Sequence, residues 1–168
     1  MTRDPRHVFE DEQWVPSDPA TTFAFFSDAA NLETITPPFL NFEILSPLPV
    51  AMRAGALIEY RLRLMGVPLR WLTRIDDWVP GQSFTDIQLR GPYACWIHRH
   101  SFSPREGGTL VRDQVRYSLP LEPLSAPVHA LFVRGTIERI FAHRRAVIGR
   151  ILGGAGEDSA HREPAAVI

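Results

Sequence analysis

The segment YACWIHRHSF, Tyr93 to Phe102, sets His98 and His100 one residue apart between a tryptophan and a phenylalanine, in a chain with six histidines. An imidazole titrates near pH 6.5 and also ligates metals, so such a pair has several chemistries open to it. On an extended strand, residues two apart share a face about 6.5 Å apart along the chain. Trp96, His98, His100 and Phe102 then share one face, and Ile97, Arg99 and Ser101 the other. The aromatic bracket assigns the first set to the covered side, with Arg99 and Ser101 toward solvent.

Neighbouring segments offer partners. In TLVRDQVRYSL the residues Val111, Asp113, Val115 and Tyr117 fall on one face and Arg112, Gln114 and Arg116 on the other, which carries Asp113 and Tyr117 inward. In SFTDIQLR the alternation is divided. Hydrophobicity turns Thr85, Ile87 and Leu89 inward, leaving Asp86 and Gln88 as secondary candidates. Trp71 and Thr73, set against Arg70 and Arg74, read as lining residues, as do Tyr60, Leu62 and Leu64.

Four readings of the histidine pair stand open. Two imidazoles can share an ion, but zinc normally takes a third protein ligand, which Asp113 or Asp86 would have to supply. As catalytic groups, His98 or His100 would move a proton with Asp113 fixing the tautomer. As a binding patch, they would orient the polar end of a ligand in an apolar cavity. Or they are hydrogen-bonded within the sheet or on its wet face. The reading adopted is the binding patch, with no metal and no cofactor assigned.

Elements must hold these residues in place. HVFEDEQWVP alternates loosely and suits a first strand ended by Pro16. Ser17 or Asp18 can cap a helix with Pro19 at its first position, Asp28 or Asn31 a second, which Pro37 and Pro38 stop. From Phe42 to Leu119 alternating runs are broken by SPLP, MRAG, LMGVP, VPGQ, RGPY and REGG, the pattern of an antiparallel meander. From about Ser125, apolar residues such as Val128, Leu131, Ile137, Phe141, Ile148 and Leu152 recur at helical spacing. Arg134, Arg139, Arg144, Arg145 and Arg150 read as that helix's exposed face. Gly135 within it implies close packing or cavity room, and Gly153 and Gly154 end it. The expected class is α+β: about seven antiparallel strands and one long helix in a single domain over 1–152, with 153–168 a flexible tail.

The 168 residues, 45% hydrophobic and 22% charged, with a formal charge of -1, fit one soluble domain and give no general pull toward nucleic acid or anionic membrane. Cys95 is the single cysteine, so neither an internal disulfide nor a thiolate cluster is available. Its expected role is a small buried side chain. The opening MTRDPRHVFEDEQWVP carries charges where a signal peptide needs an apolar run, and no stretch approaches the ~20 apolar residues of a membrane span. A cytoplasmic protein is expected, without stable membrane insertion; its oligomeric state is not legible.

The order strand, two short helices, meander, long helix resembles the helix-grip fold of the START/Bet v 1-like (SRPBCC) superfamily over roughly Arg6 to Leu152. VPSDPATTFAFFSDAANLETITPPFLNFEIL is similar to the opening of the polyketide cyclase/dehydrase and coenzyme-Q-binding branch. PLRW, FTDIQLRGPYACWIHRHSF and GTLVRDQVRYSLP resemble a bacterial subgroup within it. The resemblance turns Asp86 and Gln88 inward, against their hydrophobicity. It implies a cavity between sheet and helix for a small hydrophobic molecule such as a lipid, quinone or polyketide. One alternative it implies is a cyclase or dehydrase with His98 or His100 as base, Asp113 as orienter and Tyr117 as hydrogen-bond donor to a carbonyl. Another is an accessory protein to a short-chain-dehydrogenase-like partner, since relatives occur fused to such a domain. The plant-allergen branch's glycine-rich loop is not matched by SPLPVAMRAG, so its ligands are not carried over.

Overall fold

The structure, a computed structural model, describes residues 4–64, 66–121, 124–125, 127 and 132–154. Strand β1 (His7–Val15) leads into helices α1 (Pro19–Phe26) and α2 (Asn31–Ile35), then a 3-10 turn (Pro38–Leu40) and the short β2 (Glu43–Ile44). Strands β3 (Leu57–Leu64), β4 (Val67–Val79), β5 (Ser83–Arg90), β6 (Cys95–Arg105) and β7 (Gly108–Ser118) follow. Helix α3 (Arg134–Gly154) closes the described chain. All pairings are antiparallel, and the sheet order is β1-β7-β6-β5-β4-β3-β2. The helix pair thus carries the chain from one edge of the sheet to the other.

Local chemistry accounts for the turns. Asp18 caps α1, its Oδ1 accepting from the backbone N–H groups of Ala20 and Thr21 at 2.9 and 3.0 Å, with Pro19 in the first turn. Asp28 Oδ1 accepts from Ala30 N–H ahead of α2, whose own N-cap, Ala30, has no side-chain bond. The β6–β7 hairpin turns on Glu106 and Gly107, the latter at φ +72°, a conformation that favours glycine. A Cβ on Gly108 would stand 2.1 Å from Val15 O, so backbone approaches backbone where β1 ends beside β7. Register shifts in β4, between Leu72 and Thr73 and between Asp76 and Val79, bend the sheet.

The concave face is covered by the helices. Val147, Ile148 and Leu152 of α3 share a cluster with Val15, Phe23, Phe26, Phe84 and Phe102. Ile137 and Phe141 pack with Val115 and Tyr117. Cys95 is buried, as its composition-level role implies. Three details differ from the sequence reading. Gly135 is exposed, and a Cβ there would meet nothing within 4 Å among the described residues, so neither close packing nor cavity room calls for the glycine. Gly153 and Gly154 form the last turn of α3 and do not follow it. The expected start of the helix at Val128 and Leu131, and the tail beyond Gly154, lie outside the described residues. No helix among the described residues is long and apolar enough to cross a membrane.

The α1 cap carries a pH-dependent test. Hydrogen bonds from the Thr21 side chain and from backbone N–H groups hold the Asp18 carboxyl below its ordinary 3.8. Its contribution is therefore complete above that value and is lost as pH falls through the lower folded one. Asp18→Ala lowers the thermal midpoint at neutral pH, and melting curves of variant and wild type converge in acid.

Candidate functional site

Three adjacent strands bring four ionisable side chains together. The β5–β6 register places Asp86 opposite His98, and the β6–β7 register places His100 opposite Asp113. Directly opposed side chains on one face stand close enough to touch, and diagonal neighbours are within reach. Both contacts are made. Asp113 Oδ1 lies 2.9 Å from His98 Nε2 and 2.7 Å from His100 Nδ1, the second off the line of a hydrogen bond. Asp86 Oδ2 lies 3.0 Å from His100 Nε2 and 3.4 Å from His98 Nδ1. Each carboxylate oxygen thus sits between the two rings, whose centroids are 3.8 Å apart.

The quartet is buried: His98 and His100 are each 4% exposed and Asp113 8%. Burial alone would raise Asp113, but His100 and His98 outweigh it and hold its carboxyl well below the usual range. Asp86 is likewise held low against burial by His98 and His100. Burial and the neighbouring His100 push His98 down, over the pull of Asp86 and Asp113. His100 goes the other way, because Asp113 and Asp86 together overcome its burial. A proton is therefore favoured on His100 over His98, and Arg144 of α3 is the nearby cation that helps hold Asp86 ionised.

Above the quartet lies a cavity of about 160 Å³ between sheet and α3, lined by Asp86, His98, His100 and Arg144 among mainly apolar side chains. Trp71, Tyr60, Trp96 and Tyr93 form its aromatic wall, with Trp71 stacked on Tyr60 at 5.9 Å and edge-on to Trp96 at 5.4 Å. Tyr60 Oη and Thr73 Oγ1 are 3.2 Å apart, and burial pushes the Tyr60 phenol up. Two buried nitrogens, Trp71 Nε1 and Arg144 Nε, have no hydrogen-bond partner among the described residues. Phe84 and Phe26 flank His100, and Phe141 flanks His98.

The expected site residues sort by this geometry. Trp71, Thr73, Tyr60, Trp96, His98, His100 and Asp86 line the cavity, Asp86 with its side chain 19% exposed. Asp86, not the Ile87 and Leu89 set, faces the histidines; Ile87 is half-buried and Leu89 exposed. Hydrophobicity points the wrong way here because two imidazoles compensate the buried carboxylate. Asp113 stands behind the histidines. Phe102 packs against Phe23 and Phe26, and Tyr117 against Tyr93 and Trp96, both away from the cavity wall. Gln88 fastens the β5–β6 turn, donating to Tyr93 O at 2.8 Å and accepting from Tyr93 N–H at 3.3 Å.

Arg144 corrects the expectation of a fully solvated arginine face. It lies in the cavity wall, its guanidinium carbon 5.2 Å from the Phe141 ring centroid. The signal was in the spacing, since Arg144 stands seven, four and three residues after Ile137, Ile140 and Phe141. Arg145, by contrast, pairs with Asp11, and Arg134 with Glu138.

No protein-family model matches the chain, and no curated protein matches it. Solved structures do. A START superfamily protein from Mycobacterium smegmatis superposes with a TM-score of 0.66 at 13% identity, over 87% of this chain and 99% of that one. The chain has a START/Bet v 1-like fold. The di-domain ARO/CYC StfQ from the steffimycin biosynthetic pathway matches this helix-grip architecture at TM-score 0.64 and 14% identity, over 95% of this chain and 53% of that one. A nucleoside-diphosphate sugar epimerase from Corynebacterium glutamicum matches at TM-score 0.66 and 23% identity, over 90% of this chain but 30% of that one. The START/Bet v 1-like domain therefore corresponds to a segment of those two longer chains.

The quartet yields a stability test. Asp113→Ala leaves His100 buried beside Asp86 alone and His98 Nε2 without its acceptor. Breaking a buried ion pair on one side costs about 3–5 kcal/mol. Urea unfolding of the variant shows a loss of that size.

Proposed function

We propose that the chain binds a small, largely apolar molecule of about single-ring size that carries one oxygen acceptor. The observation that supports this most directly is the cavity itself: about 160 Å³ and aromatic-walled, with Trp71, whose Nε1 is buried without a partner among the described residues, in its lining. An apolar cavity of about 150 Å³ accommodates a benzene-sized guest. A buried donor without a partner costs about 1–3 kcal/mol, which a ligand oxygen at Trp71 would recover. Arg144 and His100 add positive character to the lining, so the acceptor is a carbonyl, phenolate or carboxylate oxygen. Quinones and single polyketide-type rings have this form. Lipid chains are disfavoured by the volume.

Calorimetric titration with benzoquinone, benzoate and toluene checks this reading. The oxygen-bearing rings bind more tightly than toluene, and Trp71→Phe weakens them by about threefold to tenfold, the worth of one hydrogen bond. Toluene affinity stays unchanged in the variant. Equal affinity of all three rings for wild type, or no binding of any, rules the reading out.

A second reading, cyclase- or dehydrase-type proton transfer, is favoured by one observation: Asp113 contacts both imidazoles from behind, and His98 Nδ1 and His100 Nε2 turn to Asp86, which lines the cavity with them. A group so oriented can take a proton from carbon beside a polarised carbonyl. Tyr117, away from the cavity wall, is replaced in the donor role by Trp71 Nε1. On this reading His98→Gln and His100→Gln each abolish exchange of the α-protons of a bound cyclic ketone into deuterated water, followed by NMR, while circular dichroism remains native. Exchange at the wild-type rate in both variants excludes the mechanism.

A further inference from the structure

Asp86 Oδ2, a nitrogen of His98 and a nitrogen of His100 all lie within 4.8 Å of one another. The carboxylate oxygen stands 3.4 Å from His98 Nδ1 and 3.0 Å from His100 Nε2. Ligands at 2.0–2.1 Å from a tetrahedral ion are about 3.3 Å apart. Two edges of the triad thus already match those of one coordination polyhedron, and all three residues line the cavity.

The far side of each ring strengthens the assignment. Asp113 lies against His98 Nε2 and His100 Nδ1, the nitrogens that the polyhedron does not use. A carboxylate behind a ligating histidine holds the ring N–H and turns the other nitrogen's lone pair toward the ion. Here one carboxylate stands behind both rings. His98 Nδ1 and Asp86 Oδ2 stand 3.4 Å apart on the side away from Asp113, a gap that an ion could bridge.

We propose that Asp86, His98 and His100 bind one divalent transition-metal ion of the zinc class, with Asp113 as positioning residue. The two-nitrogen, one-oxygen donor set suits zinc and cobalt better than calcium or magnesium, which take oxygen ligands. Three protein ligands leave a coordination position open to the cavity. The assignment supplies the third ligand that the sequence alone did not fix, and it stands whether or not the cavity takes a ring ligand.

The test is a titration of chelator-stripped full-length chain with cobalt(II), followed by absorption, then displacement by zinc(II), with bound metal counted by mass spectrometry. One equivalent per chain is expected, with the intense visible bands of four- or five-coordinate cobalt. Asp86→Ala and His98→Ala abolish uptake, and Asp113→Asn weakens zinc by about 10–100-fold, as loss of a carboxylate behind a ligand does. The wild-type spectrum decides alone if a variant does not fold. Substoichiometric uptake at micromolar metal, six-coordinate spectra only, or full uptake by folded Asp86→Ala overturns the assignment, the last by showing that Asp86 is not a ligand. Ring binding by the stripped chain is measured in parallel, so failure of the metal site and failure of the cavity reading are told apart.

Discussion

The contact between the apolar stripe of α3 and the concave face of the sheet governs everything else in this molecule. Ile137, Phe141, Ile148 and Leu152 remove that face from water, and any charge left beneath them must find compensation inside the protein. Asp86 and Asp113 do so through two imidazoles shared between them. The same enclosure that makes the quartet costly to break gives its groups titration behaviour far from that of exposed side chains. Packing and electrostatics at this site are one constraint.

That constraint also shapes the cavity. Aromatic side chains from β3, β4, the β5–β6 turn and β6 wall the space, while Asp86, His98, His100 and Arg144 gather where β5 and β6 meet α3. The pocket therefore has an ionisable end. On the proposed reading, shape would set the size of a guest and that end its orientation. The START/Bet v 1-like fold supplies the enclosure, but its chemistry comes from the particular residues at that end.

Much of this was legible in the sequence, for identifiable reasons. The alternation in ACWIHRHSF and TLVRDQVRYSL put His98, His100 and Asp113 on covered faces because each strand has one wet side and one dry side. The alternation failed at Asp86, where hydrophobicity scores a lone carboxylate as exposed and takes no account of partners on the neighbouring strand. It failed in another way at Arg144, whose charge outweighed its place beside Ile137, Ile140 and Phe141. Gln88 was drawn toward the site, although its amide serves the local turn at Tyr93. Tyr117 points to the covered side as expected, yet a strand face is wider than the cavity it borders.

Arg144 and Arg145 are neighbours in sequence with opposite fates. One enters the cavity wall and the other pairs with Asp11 on β1. Successive residues on an α-helix are about 100° apart around its axis. The two arginines therefore act as a key and its stop: together they define the rotation of α3 about its own axis, whereas apolar contacts alone would tolerate a small roll. A helix keyed in this way presents the same cation to the same part of the cavity wall whenever it docks.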